Sequence, residues 1–140
     1  MEVSEVRRRL RTAIDQARRD SSLRRERADA ASRAYDQFLE QVAVPTFQTI
    51  ANVLVAEGHR FAVFTPAGSV RLASERSGED FIELALDPSQ DPPVVVVRMS
   101  RGRGRRQLTS ERSVTTAISS LTDSDVVQMV VDEIPKLVER

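Results

Sequence analysis

The first forty or so residues constrain the fold more than any other part of this chain. Between Glu2 and Ala43 there is no proline and no glycine, and most of the residues are good helix formers. This composition predicts one long helix, which would run about 60 Å at 1.5 Å per residue. Strands of six or seven residues build a sheet only about 20–25 Å long. A domain of this size therefore cannot cover the whole helix, and its N-terminal half is expected either to project and pair with another helix or to fray.

Two apolar patterns run along this helix. Residues three and four apart form an N-terminal row, and the same spacing returns between Ala28 and Val42. Between the two patterns, Ser21 and Arg24 occupy positions where apolar residues are expected. We call the N-terminal row the stripe and predict that it binds a partner; its members are Val3, Val6, Leu10, Ala13, Ile14 and Ala17.

Three interpretations of the stripe are open. It is the seam of a coiled coil, a helix face that docks in another protein's groove, or one side of a solvated helix. Ten arginines and six acids are interleaved in residues 1–34, as is usual for exposed helices. We accordingly divide the chain into a projecting basic helical arm, residues 1–34, and an α+β globular domain, residues 35–140.

The remainder of the chain predicts the fold of that domain. Pro45 is expected to kink or break the long helix, and an apolar face from Phe47 to Val55 continues it as far as Gly58. Short apolar segments separated by Pro- and Gly-containing turns then favour an antiparallel meander of four to five strands. The expected strands are Arg60–Thr65, Val70–Ala73, Ile82–Leu86, Val94–Met99 and a weaker Leu108–Ile118.

A C-terminal amphipathic helix is predicted to close the domain. Thr122 is its expected N-cap, acids follow in its first turn, and Pro135 is expected to kink or end it. The helical and strand periods together predict a shared core of Phe47, Ile50, Leu54, Val95, Val97, Val127, Val130 and Ile134.

The residues that carry enzyme chemistry are scarce. The chain has no cysteine and one histidine, His59, and its sequence lacks phosphate loops, dinucleotide-binding turns and nucleophile elbows. Its carboxylates cluster in predicted turns and in the first turn of a helix, where we interpret them as solvated: Glu79, Asp80, Glu83, Asp87, Asp91, Asp123 and Asp125. We therefore predict no enzymatic activity, no catalytic residue, no metal site and no cofactor.

A formal net charge of zero argues against a general DNA coat protein. A basic string, Arg101-Gly102-Arg103-Gly104-Arg105-Arg106, is nevertheless distinctive, because guanidinium groups on a glycine-rich loop can contact phosphates. The simpler interpretation is a solvated hairpin tip. The candidate phosphate-binding residues are Arg101, Arg103, Arg105 and Arg106.

These observations predict a non-catalytic interaction module, an oligomerising or adaptor protein that acts through its arm. Its partner would be a second copy or another protein, and the alternative is a nucleic-acid-associated protein. No apolar run is long enough for a membrane helix, and twenty of the twenty-one basic residues are arginine. We therefore expect a cytoplasmic, bacterial protein with no membrane partner. The order of its predicted elements resembles that of small dimeric nucleoid-associated proteins, without a shared motif.

Overall fold

The computed structural model describes residues 1–139. Helix α1 covers Val3–Phe38 and helix α2 covers Val44–Ala56, and a π-helical segment, Leu39–Ala43, joins them. The interruption predicted near Pro45 takes the form of this segment, and the helical backbone does not break. Pro45 lies in the first turn of α2, directly after the π-helical segment, and its missing N–H interrupts the regular hydrogen bonding of the continuous helix there.

Five strands follow in an antiparallel sheet whose spatial order is the chain order, which confirms the predicted meander. A single turn of 3₁₀-helix, Ile118–Ser120, then leads to helix α3, Asp123–Val138. The strands are β1 Phe61–Phe64, β2 Ser69–Ser74, β3 Phe81–Asp87, β4 Val94–Arg103 and β5 Arg106–Ser113.

The fifth strand differs from the prediction at its C-terminal end. It stops at Ser113, and the N–H of Val114 makes a last hydrogen bond to the carbonyl of Val95 at 2.8 Å. Val114 and Ile118 are buried beyond that point. The β-branched residues that suggested a longer strand thus belong to a connection that packs on the core.

One continuous apolar cluster joins α2, α3 and one face of the sheet. Four of the residues predicted for the core are buried, and three more are partly buried against it: Phe47, Val95, Val97 and Val130, then Ile50, Leu54 and Ile134.

The prediction for Val127 is wrong, because its side chain is 41% exposed. The buried face of α3 instead carries Val126, Met129, Val130 and Leu137, together with Glu133. The carboxylate of Glu133 is accommodated there because Arg112 and Lys136 pair with it at 3.4 and 3.2 Å. An apolar pattern alone passes over a paired glutamate and therefore misplaces the helix face.

The start of α3 is built as predicted. The hydroxyl of Thr122 accepts the N–H of Asp125 at 3.3 Å, and the Asp125 carboxylate accepts the N–H of Thr122 at 2.9 Å. This reciprocal cap satisfies two otherwise unpaired N–H groups. At the other end, Pro135 does not stop the helix, which continues to Val138.

Candidate functional site

The stripe lies on the part of α1 that extends beyond the sheet. Val3 is 74% exposed, Leu10 58% and Ile14 51%, and Val6, Ala13 and Ala17 are also exposed. Isolated exposed aliphatic residues are ordinary, whereas these form a contiguous row on one helix face. The structure thus brings the predicted partner-binding residues together on one solvent-facing side of α1.

The stripe lies on the side of α1 that packs against the domain further along the helix. Ala13 and Ala17 precede Ala31 and Tyr35 by eighteen residues each, which is about five turns at 3.6 residues per turn. Ala31 packs against the apolar core and Tyr35 is buried in it. The stripe is therefore a continuation of the core-facing side of α1 into solvent.

Tyr35 links α1 to the β1–β2 turn by a hydrogen bond. Its hydroxyl donates to the carbonyl of Gly68 in the β1–β2 turn at 2.6 Å. Burial, reinforced by the nearby carboxylates of Glu83 and Asp36, raises the pKa of Tyr35 to about 12. The phenol therefore stays neutral and keeps its proton on this bond throughout the physiological range.

A surface ion pair marks where contact between α1 and the domain begins. Arg27 donates through Nε and Nη2 to both carboxylate oxygens of Asp91 in the β3–β4 loop, at 2.9 Å each. These hydrogen bonds hold the pKa of Asp91 below its usual range. Within residues 1–139, no side-chain hydrogen bond reaches from α1 to the domain N-terminally of Arg27.

The four candidate phosphate-binding arginines lie on the β4–β5 hairpin. Arg103 pairs with Arg106 across a two-residue turn in which Gly104 has a φ of +59°, a conformation that glycine adopts without strain. Asp80 holds the hairpin against the β2–β3 turn, because its carboxylate accepts the N–H of Gly102 at 2.8 Å.

Three of these arginines project from one face of the hairpin. Arg101 is two residues from Met99, so both lie on the helix-facing side of the sheet, as do the paired residues Arg103 and Arg106. Arg105 stands in the turn. None of the four takes part in an ion pair within the described part of the chain.

The two arginine-rich segments lie at opposite ends of the sheet. The β3–β4 loop meets α1 through Asp91, and β4 then runs away from that loop for ten residues, about 33 Å, to Arg103. The hairpin and the projecting part of α1 therefore do not form one continuous basic surface.

Sequence reasoning missed a charged cluster on the sheet face opposite the helices. Glu83, interpreted as a solvated acid, is only 6% exposed. It accepts from Arg71 at 2.7 Å and lies 3.5 Å from Arg98, which in turn pairs with Glu111 at 3.0 Å. Because Glu83 alternates with Ile82 and Leu84, its position on the opposite face was readable from the sequence. Its burial by cross-strand arginines was not.

The described residues contain no group of three or more His, Cys, Asp or Glu side chains placed to hold a metal ion. The exposed His59 follows α2, and its N–H donates to the carbonyl of Leu54 at 2.8 Å. Its side chain makes no hydrogen bond among residues 1–139. Every helix in this range is too short or too polar to cross a membrane.

Comparison of the chain with protein-family models, with curated proteins and with solved structures finds no match in any of the three.

Proposed function

We propose that this protein is a non-catalytic interaction module that self-associates through the stripe on α1. The observation that carries the proposal is the exposure of four large aliphatic side chains, Val3, Val6, Leu10 and Ile14, on one side of a regular helix. Burying each of them contributes roughly 1.5–3 kcal/mol when the side chain is fully covered. A second helix is the simplest structure that covers a row of this width.

Sedimentation velocity at several concentrations tests the proposal. The full chain is expected to show a concentration-dependent dimer, and Leu10→Glu to remove it by placing a charge in the seam. Thr12→Glu is the matched control, because it changes the charge equally on the opposite side of the helix. A native chain that stays monomeric throughout, or equal effects of the two variants, would contradict the proposal.

A second candidate function, nucleic-acid binding, is supported by the hairpin. Arg101, Arg103 and Arg106 share a face and lack acidic partners within residues 1–139. Guanidinium groups in such an array can contact successive phosphates, with an affinity that falls steeply with salt.

Binding of a generic duplex and a generic single strand at two salt concentrations tests this candidate. Replacing the four hairpin arginines with glutamine is expected to abolish binding, whereas replacing Arg8, Arg19, Arg25 and Arg33 of α1 is expected to retain it. Absence of binding by the native chain at low salt would reject nucleic acid as a partner.

A further inference from the structure

We infer that the partner of the stripe is the stripe of a second copy, running antiparallel, with Leu10 of one chain against Ala13 of the other. The inference rests on the proposed self-association and adds its orientation and register. It follows from the position of the domain relative to the stripe, the order of large and small residues, and the point at which the stripe ends.

The position of the domain determines the orientation. Because the stripe faces the side on which the domain packs, the space beyond Arg27 on that side is filled by the β3–β4 loop and, further on, by the core around Tyr35. A parallel partner helix would continue into that space with its own residues 28–56. An antiparallel partner directs the N-terminal end of its stripe toward this space, and its own residues 28–56 and its domain lie at the opposite end of the paired helices.

The order of large and small residues determines the register. With Leu10 opposite Ala13 of the second copy, Val6 lies opposite Ala17, and the two-fold symmetry repeats both pairs. Each of these four layers then combines one branched side chain with one alanine, so the helices keep an even spacing between Val6 and Ala17. A parallel pair in register would set leucine against leucine and alanine against alanine, which leaves voids at the alanine layers.

The polar residues that interrupt the helix pattern agree with this register. Val3, the first residue of the stripe, lies opposite Asp20 of the second copy, beside Ser21 and short of Arg24. The facing helix thus becomes polar where the stripe ends. At the positions that flank the core of such an antiparallel pair, Arg7 of one helix lies near Ile14 of the other, and Arg9 lies near Gln16. These flanking pairs bring no like charges together.

The size of the contact indicates a reversible dimer. The stripe is about 21 Å long and one helix, about 10 Å, wide. That footprint is well below the roughly 800 Å² that each partner buries in a standard interface. We expect dissociation in the micromolar range.

The absence of cysteine from the chain allows a direct test by disulfide cross-linking. Val6→Cys and Ala17→Cys are prepared as separate full-length variants and oxidised with a copper catalyst, alone and as an equimolar mixture. Cross-linking needs Cα atoms within about 7 Å. The mixture is expected to give covalent heterodimers, and each variant alone to remain largely monomeric. Arg8→Cys mixed with Arg19→Cys is the matched control, with the same eleven-residue spacing on the opposite side of the helix.

The alternative results separate the two proposals. If Val6→Cys alone and Ala17→Cys alone cross-link as well as their mixture, the arms are parallel and this inference is wrong, although self-association stands. If the native chain dimerises through Leu10 but neither variants nor mixture cross-link above the control pair, the register is wrong. A chain that sediments as a monomer overturns both proposals.

Discussion

The two halves of α1 present the same kind of apolar face to different surroundings. From Ala31 onward the face packs against the apolar core and contacts the 3₁₀ turn Ile118–Ser120, and Phe38 is buried. In the first half, Leu10 and Ile14 occupy equivalent positions and are more than half exposed. Helical periodicity therefore establishes which side of a helix is apolar, whereas the neighbouring chain decides whether that side contributes to the stability of the monomer.

The largest expected effect contrasts a buried position with the stripe. Phe47→Ala, at a side chain with no exposed surface, should lower the free energy of unfolding by about 3–5 kcal/mol because it opens a cavity. Leu10→Ala should change it by about 0.5 kcal/mol or less below the dimer concentration. Urea titration of both variants measures the difference. Equal losses would show that the stripe is already covered within one chain.

Two alanines on the same side of α1, one in each half, are expected to differ in their effect on the stability of the monomer. Ala31→Glu should cost roughly 1–3 kcal/mol of unfolding free energy, since Ala31 packs against the core and a carboxylate there loses solvation. Ala13→Glu, eighteen residues earlier, should leave the stability of the monomer unchanged and weaken only the dimer. Denaturant titration at low concentration and sedimentation at high concentration together check this prediction. A destabilised Ala13→Glu monomer would contradict it.

Tyr35→Phe should have a smaller effect, about 1 kcal/mol, because it removes the hydrogen bond to Gly68 and leaves the ring in place. The folded pKa of Tyr35 is about 12, above the value of about 10 in an unfolded chain. Its contribution to stability is therefore complete below pH 10 and is lost as the pH rises through 12.

Alkaline unfolding of the native chain and Tyr35→Phe measures this loss, and the difference between them should shrink between these pH values. Tyr35 is the one tyrosine of the chain, so its ionisation can be followed by ultraviolet absorbance without interference from another tyrosine. Ionisation near pH 10 in the folded protein would mean that the ring is not buried.

The smallest effect is expected at the exposed ion pair of Arg27 and Asp91. Because the folded pKa of Asp91 is lowered, its contribution to stability is present above the unfolded pKa of about 4 and is lost as the pH falls below it. The melting temperature of Asp91→Asn should thus be slightly below that of the native chain at neutral pH and equal to it in acid. If the difference in melting temperature persists in acid, it is caused by a change in the loop backbone and not by loss of the ion pair.

The sequence predicted the elements better than it predicted their surroundings. Strong periodicity and Pro- and Gly-containing turns indicated the helices and the meander, because these signals are local. Val127 and Glu83 were misjudged because burial depends on residues of other elements: Arg112 of β5 for Glu133 on the buried face of α3, and Arg71 and Arg98 for Glu83. The sequence showed the stripe as an apolar row. That the stripe lies on the same side of α1 as the domain became clear only from the structure, in which α1 is continuous.

Amide hydrogen exchange along α1, measured below and above the expected dimer concentration, shows whether the stripe is covered only in the dimer. Residues 31–51 should be protected at both concentrations because the domain covers them, whereas residues 3–20 should exchange rapidly at the low concentration and become protected at the high one. Protection of residues 3–20 that is the same at both concentrations would be incompatible with self-association through the stripe, since the stripe would then be either covered within one chain or never covered at all.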